Sequence, residues 1–496
     1  MCGIVGIYNS HKPVATELYD SLIHLQHRGQ DAAGIMTCEN SFHKICGKGL
    51  VRDVFTQQDI MQLEGRVGIA HVRYPTAGAG SYEEIQPFWV NSPYGIAIAH
   101  NGNLVNQDQL ADELRQKQYR HLNTSSDTEV MLNLFADGFD LTKRATGSIP
   151  FFEQICASIA ALQKKVTGAY SVVGMFIHKG LVAFRDPYGI RPLVFGKRKN
   201  SAKKYDYIFA SEPTMFHSLG FDQVANVQPG EVIYIDDKDH LYRRVLIHKE
   251  FSPCVFEFIY FARPDAKLDD VSVYRARLRM GQNLAMRWKQ IYPDTLPDVV
   301  IPAPATSNTA ALSFAHEIGV RYSEGIYKNP FIGRTFIMSE QEERKRSVRY
   351  KLSPQEIEIK NKKVLILDDS IVRGTTSREI VTMVRECGPK EVYFVTTCPP
   401  VKFPCFYGID IPTRKELIAA NKSVEKIQQF LGVDKLLYQT EQDLVEAVTR
   451  KGEHNIKKPC MACLTGKYPS GNITEATIRQ LEKKRIKERQ RMKTDD

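Results

Sequence analysis

The sequence predicts a two-domain chain of mixed class, an α+β first half followed by an α/β second half built on a parallel sheet. Three observations carry this. At 496 residues the chain is too long for a single hydrophobic core. Apolar runs at 3–7, 170–177, 181–184, 193–195, 207–210 and 231–235 crowd strands into the first half, with two or three helical stretches between them. Near Cys254 the rhythm changes. Runs at 299–302, 364–367 and 391–397 stand before or between helical patterns, and strands that are apolar throughout belong to an open parallel sheet covered on both faces.

Composition narrows the class. Hydrophobic residues make up 43% and charged residues 25%, as in an ordinary soluble globular protein. The apolar opening is too short for a signal peptide and lacks a basic flank, and no run approaches the ~20 residues of a membrane span. A cytoplasmic protein without membrane contact is expected. The formal net charge is +10, but residues 479–493 hold eight basic residues against Glu482 and Glu488, so much of the excess sits in the tail. Such a run reads as a solvated helix or a frayed end, and nucleic acid is not the expected partner. Ten widely spread cysteines in a cytosolic chain suggest chemistry or metal before disulfides.

Taken in order, the chain starts with Cys2. Removal of Met1 would give that residue both a thiol and an α-amine of pKa about 7.7–8.0, a nucleophile and a base in one place. A strand over 3–7 and a helix over 18–26 follow, then the polar turn His27-Arg28-Gly29-Gln30-Asp31. Further on stand His71-Val72-Arg73-Tyr74-Pro75-Thr76-Ala77-Gly78, His100-Asn101-Gly102-Asn103 and Thr124-Ser125-Ser126-Asp127-Thr128-Glu129. Taken singly, the second is a turn and the third a helix cap with its capping-box acid.

Together, and in this order behind Cys2, these motifs resemble the class II glutamine amidotransferases of the N-terminal-nucleophile hydrolase group, over roughly residues 2–240. The resemblance implies a four-layer αββα sandwich. It also implies that the Cys2 thiolate attacks the glutamine carboxamide while its own amine moves the proton. Asn101 and the Gly102 N–H would form an oxyanion hole, which acts as charge develops. Arg73 would grip the α-carboxylate in a bidentate pair, Asp127 the α-ammonium, and the backbone near Thr76 and Gly78 would line the pocket. Residues 185–193 also match the family and read as a structural turn, and Ser211-Glu212 could lie near the pocket floor.

In the second half, an amphipathic helix over 273–288 should present Tyr274, Leu278, Gly281, Ala285 and Trp288 on one face. The strand end 299–302 is followed by a loop to Ser307 and a helix from Ala310. The most informative stretch is 364–377: four apolar residues, then Asp368, Asp369, Ser370, Ile371, Val372, Arg373, Gly374, Thr375, Thr376 and Ser377. Ligands of open α/β sheets bind at the carboxyl ends of strands. Gly374 lets backbone approach a ligand closely, and hydroxyls with the N–H groups of a starting helix hold phosphate. Adjacent carboxylates suit sugar hydroxyls or a hydrated Mg²⁺. The combination asks for a phosphorylated sugar.

This stretch resembles the phosphoribosylpyrophosphate (PRPP) signature of type I phosphoribosyltransferases. Asp368 and Asp369 would then face the ribose hydroxyls, residues 370–377 would wrap the 5′-phosphate, and Ser307, Asp368 and Asp369 would surround Mg²⁺. An acidic residue often stands in that family where this chain has Ala305. Residues 327–337 and the charged stretch to Lys351 form either a solvated excursion or a lid. They match a family loop that orders over PRPP, which would bring Lys328 and Arg334 to the phosphates.

Cys460 and Cys463 form a CxxC pair, with Cys254 and Cys405 upstream. Four thiolates can hold Zn²⁺ or a [4Fe–4S] cluster, and spacing does not choose between them. Some members of the family this chain resembles hold a [4Fe–4S] cluster through cysteines in such contexts, which implies Cys254, Cys405, Cys460 and Cys463 as ligands, with Cys398 a rival for Cys405.

Both halves in this order resemble the glutamine-dependent phosphoribosyltransferases of purine biosynthesis. The resemblance implies that ammonia freed from glutamine crosses an internal passage and displaces pyrophosphate from PRPP. The products would be 5-phosphoribosylamine, glutamate and pyrophosphate, in the first committed step of the pathway. It implies Mg²⁺ on the leaving group, homotetramers, and feedback inhibition by purine nucleotides. The expected division is 2–245 for the glutaminase domain, 246–470 for the phosphoribosyltransferase domain and 471–496 for a basic tail. A sugar-isomerase second half, as in glucosamine-6-phosphate synthase, would lack Asp368-Asp369 and the hydroxyl loop.

Overall fold

Gly-Ile-Val-Gly-Ile-Tyr carries no charge on either face, and the strand it forms, Gly3–Tyr8, is buried along its whole length. It is the middle strand of a seven-stranded antiparallel sheet, between Tyr205–Ala210 and Val67–Arg73. The structure, a computed structural model, describes residues 2–74, 81–145, 149–330, 348–450, 455–471 and 473–494.

A second antiparallel sheet of six strands faces the first, with Ile96–Leu104, Gly168–Phe176 and Gly180–Arg185 inside it. Ile4, Met36 and Ile69 of one sheet meet Ala97, Val173 and Leu181 of the other. The helices Asp127–Ala145 and Phe151–Lys165 cover the far side of the six-stranded sheet. There, Phe151 stands edge-on to Phe176 with ring centroids 5.1 Å apart. The far side of the seven-stranded sheet carries helix Ala15–Leu25, and its apolar cluster continues into Val255, Phe258, Phe406 and Leu464 of the second half. The first half is thus an αββα sandwich whose fourth layer is completed by the rest of the chain.

The second half is a five-stranded parallel sheet with Lys363–Asp368 at its centre, between Val299–Pro302 and Glu391–Thr396. Helices Val273–Ile291 and Asn308–Ile318 pack on one face. Thr375–Glu386 and Val424–Leu431 pack on the other. A side chain on Gly281 would meet the Ala310 carbonyl at 2.2 Å, so the first two helices touch backbone to backbone.

Three local readings are refined by the structure. Of the face expected for Val273–Ile291, Gly281, Ala285 and Trp288 are buried, whereas Tyr274 is exposed and Leu278 half-buried; Val273, Ala276, Met280 and Leu284 complete the buried side, so the stripe is centred slightly off the expected line. His100-Asn101-Gly102-Asn103, which taken alone would be a turn, is the end of a strand held by pairing with residues 169–172. The basic tail is a helix, Glu475–Thr494, and its first turns are docked. Ile478 is buried, Arg414 grips Glu475 and Glu482 at 2.7 and 2.8 Å, and Arg485 donates to the carbonyls of Cys405 and Ile411. Charge count alone misses this, since long cationic side chains bury their stems while their heads find backbone oxygens. Among the described residues no helix is long and apolar enough to cross a membrane.

Candidate active sites

Pairing of Gly3 with Val72 sets Cys2 beside the end of the neighbouring strand, and the Cys2 thiol points at the Tyr74 carbonyl, 3.7 Å away. The facing sheet supplies His100 and Gly102, and the start of helix Asp127–Ala145 supplies Asp127. Cys2, Arg73, Gly102 and Asp127 line one small cavity, with Glu84 and Gln86 beside them. Thr76 and Gly78 lie outside the described residues.

Arg73 donates to Glu84 at 2.9 Å, and Glu84 also accepts from the Ser125 hydroxyl at 2.6 Å. Asp127 accepts from the Leu104 N–H at 3.1 Å and lies 3.8 Å from His100 Nδ1. Burial pushes the pKa of His100 down, which favours its neutral ring. Asn101 is buried, and neither amide atom has a hydrogen-bond partner among the described residues. A buried amide left so costs on the order of 1–3 kcal/mol and marks a group held for a partner that comes and goes. The Glu84 and Gln86 contacts were not foreseen; residues 82–87 have no local pattern that marks them.

Behind Cys2 lies a buried charge network. Arg28 Nε donates to the Cys2 carbonyl at 3.1 Å, and its guanidinium bonds Glu212 and, at 2.8 Å, Glu257. Burial alone would raise Glu212, but Arg28 and then His27 hold it down to about 2. Glu257 belongs to the second half, so the network ties the Cys2 peptide to both halves. The sequence offered Arg28 only as part of a turn. The 185–193 turn is built around Asp186, which accepts N–H groups of Tyr170, Tyr188 and Ile190 and is pushed up to about 6 by burial. Its neighbour Arg185 reaches across to Asp269 at 2.8 Å.

The second site stands where the central strand Lys363–Asp368 ends. Gly374, at φ +79°, caps helix Thr375–Glu386, and a side chain there would press on Ile418 at 2.8 Å. Burial and the neighbouring Asp369 push Asp368 well above the ordinary carboxylate range. Burial pushes Asp369 up to about 6, against the pull of Ser370, Arg277 and Thr306. Ser370 donates to Asp369 at 2.7 Å, and the Asp369 carbonyl takes the Thr396 hydroxyl at 2.9 Å. Ser377 and Ser307 are buried and face Asp368. Arg373 is paired with Glu416 at 3.0 Å, Lys328 is exposed on the short strand Ile326–Lys328, and Arg334 lies outside the described residues. The buried Arg277, anchored to the carbonyls of Phe258 and Ala262, went unnoticed in the sequence although its charge reaches both Asp369 and Glu212.

Cys254, Cys405, Cys460 and Cys463 are buried in one cluster, and none is in a disulfide. Cys254 and Cys460 sit opposite each other in a β-bridge, and the charge of buried Arg191 reaches Cys254 and Cys405. Cys398 is buried nearby and also interacts with Cys463. Among the described residues no three His, Cys, Asp or Glu side chains are grouped so as to hold a metal ion.

An N-terminal-nucleophile sandwich with a cysteine at its pocket, joined to a parallel sheet with an acid pair before a hydroxyl loop, defines a glutamine-dependent phosphoribosyl-transferring enzyme. Residues 73–218 match the glutamine amidotransferase domain model. The amidophosphoribosyltransferase of Pseudomonas aeruginosa is 47% identical over 98% of this chain and 96% of its own length. That of Saccharomyces cerevisiae is 45% identical over 98% and 95%. Among solved structures, the glutamine PRPP amidotransferase from B. subtilis complexed with ADP and GMP superposes with a TM-score of 0.82 at 38% identity, over 94% of this chain and 97% of that one. The chain belongs to the amidophosphoribosyltransferase family.

Proposed function

We propose that Cys2 hydrolyses glutamine in the first pocket and that the ammonia displaces pyrophosphate from PRPP at the 368–377 loop, giving 5-phosphoribosylamine for purine synthesis. The observation that carries this is the convergence of Cys2, Arg73, Gly102 and Asp127 on one cavity beside the unpartnered amide of Asn101. Asn101 and the Gly102 N–H take the oxyanion, while Arg73 and Asp127 take the two ends of glutamine. Arg73 shares its charge with Glu84 until a substrate carboxylate arrives.

In the second site, Asp368 and Asp369 face the ribose hydroxyls, and Ser370, Arg373, Gly374, Thr375, Thr376 and Ser377 hold the 5′-phosphate. Lys328 and Arg334 serve the pyrophosphate. The raised pKa of both acids supports a site completed by a cation or by hydroxyl donors. Ser307, Asp368 and Asp369 would hold Mg²⁺, which when bound neutralises the leaving pyrophosphate. The thiol set fits a [4Fe–4S] cluster. Four buried cysteines gathered in one cluster beside a buried arginine, whose charge reaches Cys254 and Cys405, suit an anionic thiolate group. Its role would be structural, between residues 254, 405 and 460–463. The reading further includes a division near residues 245 and 470, a cytoplasmic homotetramer, and inhibition by purine nucleotides.

The test is Cys2→Ala, assayed with each nitrogen source. Glutamine-dependent synthesis should fall by at least about 10³-fold, as for loss of a catalytic nucleophile, with ammonia-dependent synthesis retained. Loss of both in a folded protein would refute two separable sites.

A further inference from the structure

The strand that carries Asn101 and Gly102 is supported from the second half of the chain. We propose that this contact sets the oxyanion-stabilising groups, making Asn103, Gly408 and Arg485 positioning residues for glutamine hydrolysis. The inference rests on the assignment of Asn101 and Gly102 given above.

The strand end needs support. Ile96–Leu104 pairs along its whole length with Gly168–Phe176 on one side. On the other, its partner Phe88–Val90 reaches only Ile96, Ala97 and Ile98. From residue 99 onward, among the described residues, that side has no strand neighbour, although the groups at 101 and 102 depend on this stretch. A cavity of about 380 Å³ opens beside it, lined by Asn103, Leu104, Phe406, Leu481 and Lys484, so the strand end is not wedged there by continuous packing.

The His100 N–H donates to Gln86 Oε1 at 2.7 Å and the Leu104 N–H to Asp127 at 3.1 Å. Between these two points the support comes from the second half through two contacts. Asn103 Nδ2 donates to the Phe406 carbonyl at 3.0 Å. Gly408 stands at φ +99°, and a Cβ built on it would lie 2.9 Å from the Gly102 carbonyl oxygen; only glycine lets the two backbones meet here. The 405–411 segment is itself held from its far side. Arg485 Nη1 and Nη2 donate to the carbonyls of Ile411 and Cys405 at 3.1 and 2.5 Å, with the guanidinium 5.0 Å from the Phe406 ring centroid. The docked turns of the basic helix thus hold the segment that abuts Gly102. Oxyanion donors act through fixed geometry, and a shift of about 1 Å costs on the order of 10²-fold in rate.

Asn103→Ala, Gly408→Ala, Arg485→Ala and Arg485→Lys in the full chain test this, with Cys2→Ala as control. For Asn103→Ala and Arg485→Ala, kcat with glutamine should fall about 10-fold, and further for Gly408→Ala, while KM for glutamine and the ammonia-dependent rate stay within about twofold. Arg485→Lys, which keeps one donor, should recover part of the loss. The inference is overturned if Asn103→Ala keeps the parent kcat with glutamine, or if both nitrogen sources lose equally. Should Cys2→Ala retain glutamine-dependent synthesis, it is the assignment of the pocket that fails, and the contact loses its purpose with it.

Discussion

The two sites treat buried charge in opposite ways. Around Cys2 the charges are matched: Arg73 with Glu84, and Arg28 with Glu212 and Glu257, so that Glu212 is held down to about 2. At the 368–377 loop two carboxylates stand side by side; burial drives both upward, and for Asp368 repulsion from Asp369 adds to it. Arg277 lies close enough to pull on Asp369 but spends its donors on two backbone carbonyls. In the first site these charges are paired before substrate arrives. The second carries an electrostatic debt that a bound cation or a row of hydroxyls relieves.

Removing a charge should therefore have opposite consequences at the two places. Arg28→Met leaves Glu212 and Glu257 buried without a counter-charge, and the loss should be about 3–5 kcal/mol in urea unfolding. Adding Glu212→Gln and Glu257→Gln should restore most of it, since nothing ionic then remains buried. A loss under about 1 kcal/mol would mean that water reaches the network, and the contrast would break on its stronger side.

Asp369→Asn sharpens the other side. Replacing a carboxylate that burial already disfavours should leave unfolding stability equal or higher, while PRPP affinity, measured calorimetrically with Mg²⁺ present, falls about 10- to 100-fold for the lost charge-assisted contacts. The pH dependence has a definite sign. Asp369, raised from 3.8 to about 6, takes up a proton in the native state as pH falls through that value; PRPP binding weakens there while the group's own contribution to stability grows. Glu212 runs in reverse: its contribution is full above the ordinary 4.5 and is lost as pH falls from there toward 2. Parallel losses of binding and stability below pH 6 would refute this opposition.

What the sequence made legible follows the same physics. The 364–377 stretch is a local object: strand end, acids, left-handed glycine and hydroxyls lie within fourteen consecutive residues, so order along the chain is order in space. The first pocket gathers residues 2, 73, 102 and 127, and only the resemblance to a family joined them. Long-range partners stayed hidden. Nothing in the local pattern says that Arg28 meets Glu257, or that Asn103 bonds Phe406, because such pairs are set by how two sheets stack. Helix Val273–Ile291 was legible as a helix, and Gly281, Ala285 and Trp288 were rightly placed on its buried face, but Tyr274 is exposed, since periodicity alone does not fix the centre of an apolar stripe to within one residue.

The smallest effect belongs to a pair in neither site. Lys484 meets Asp108 at 2.5 Å, shorter than the 2.9 Å between Arg73 and Glu84, yet Asp108 is 68% exposed. If burial rather than distance separates costly from idle charge pairs, Lys484→Ala should change unfolding stability by no more than about 0.5 kcal/mol, and added salt should erase even that. The neighbouring Arg485 bonds backbone carbonyls, so its removal should be felt in the glutamine reaction while that of Lys484 is not. A loss at Lys484 comparable to that at Arg28 would make separation the governing variable, and the difference between the two sites would then need another cause.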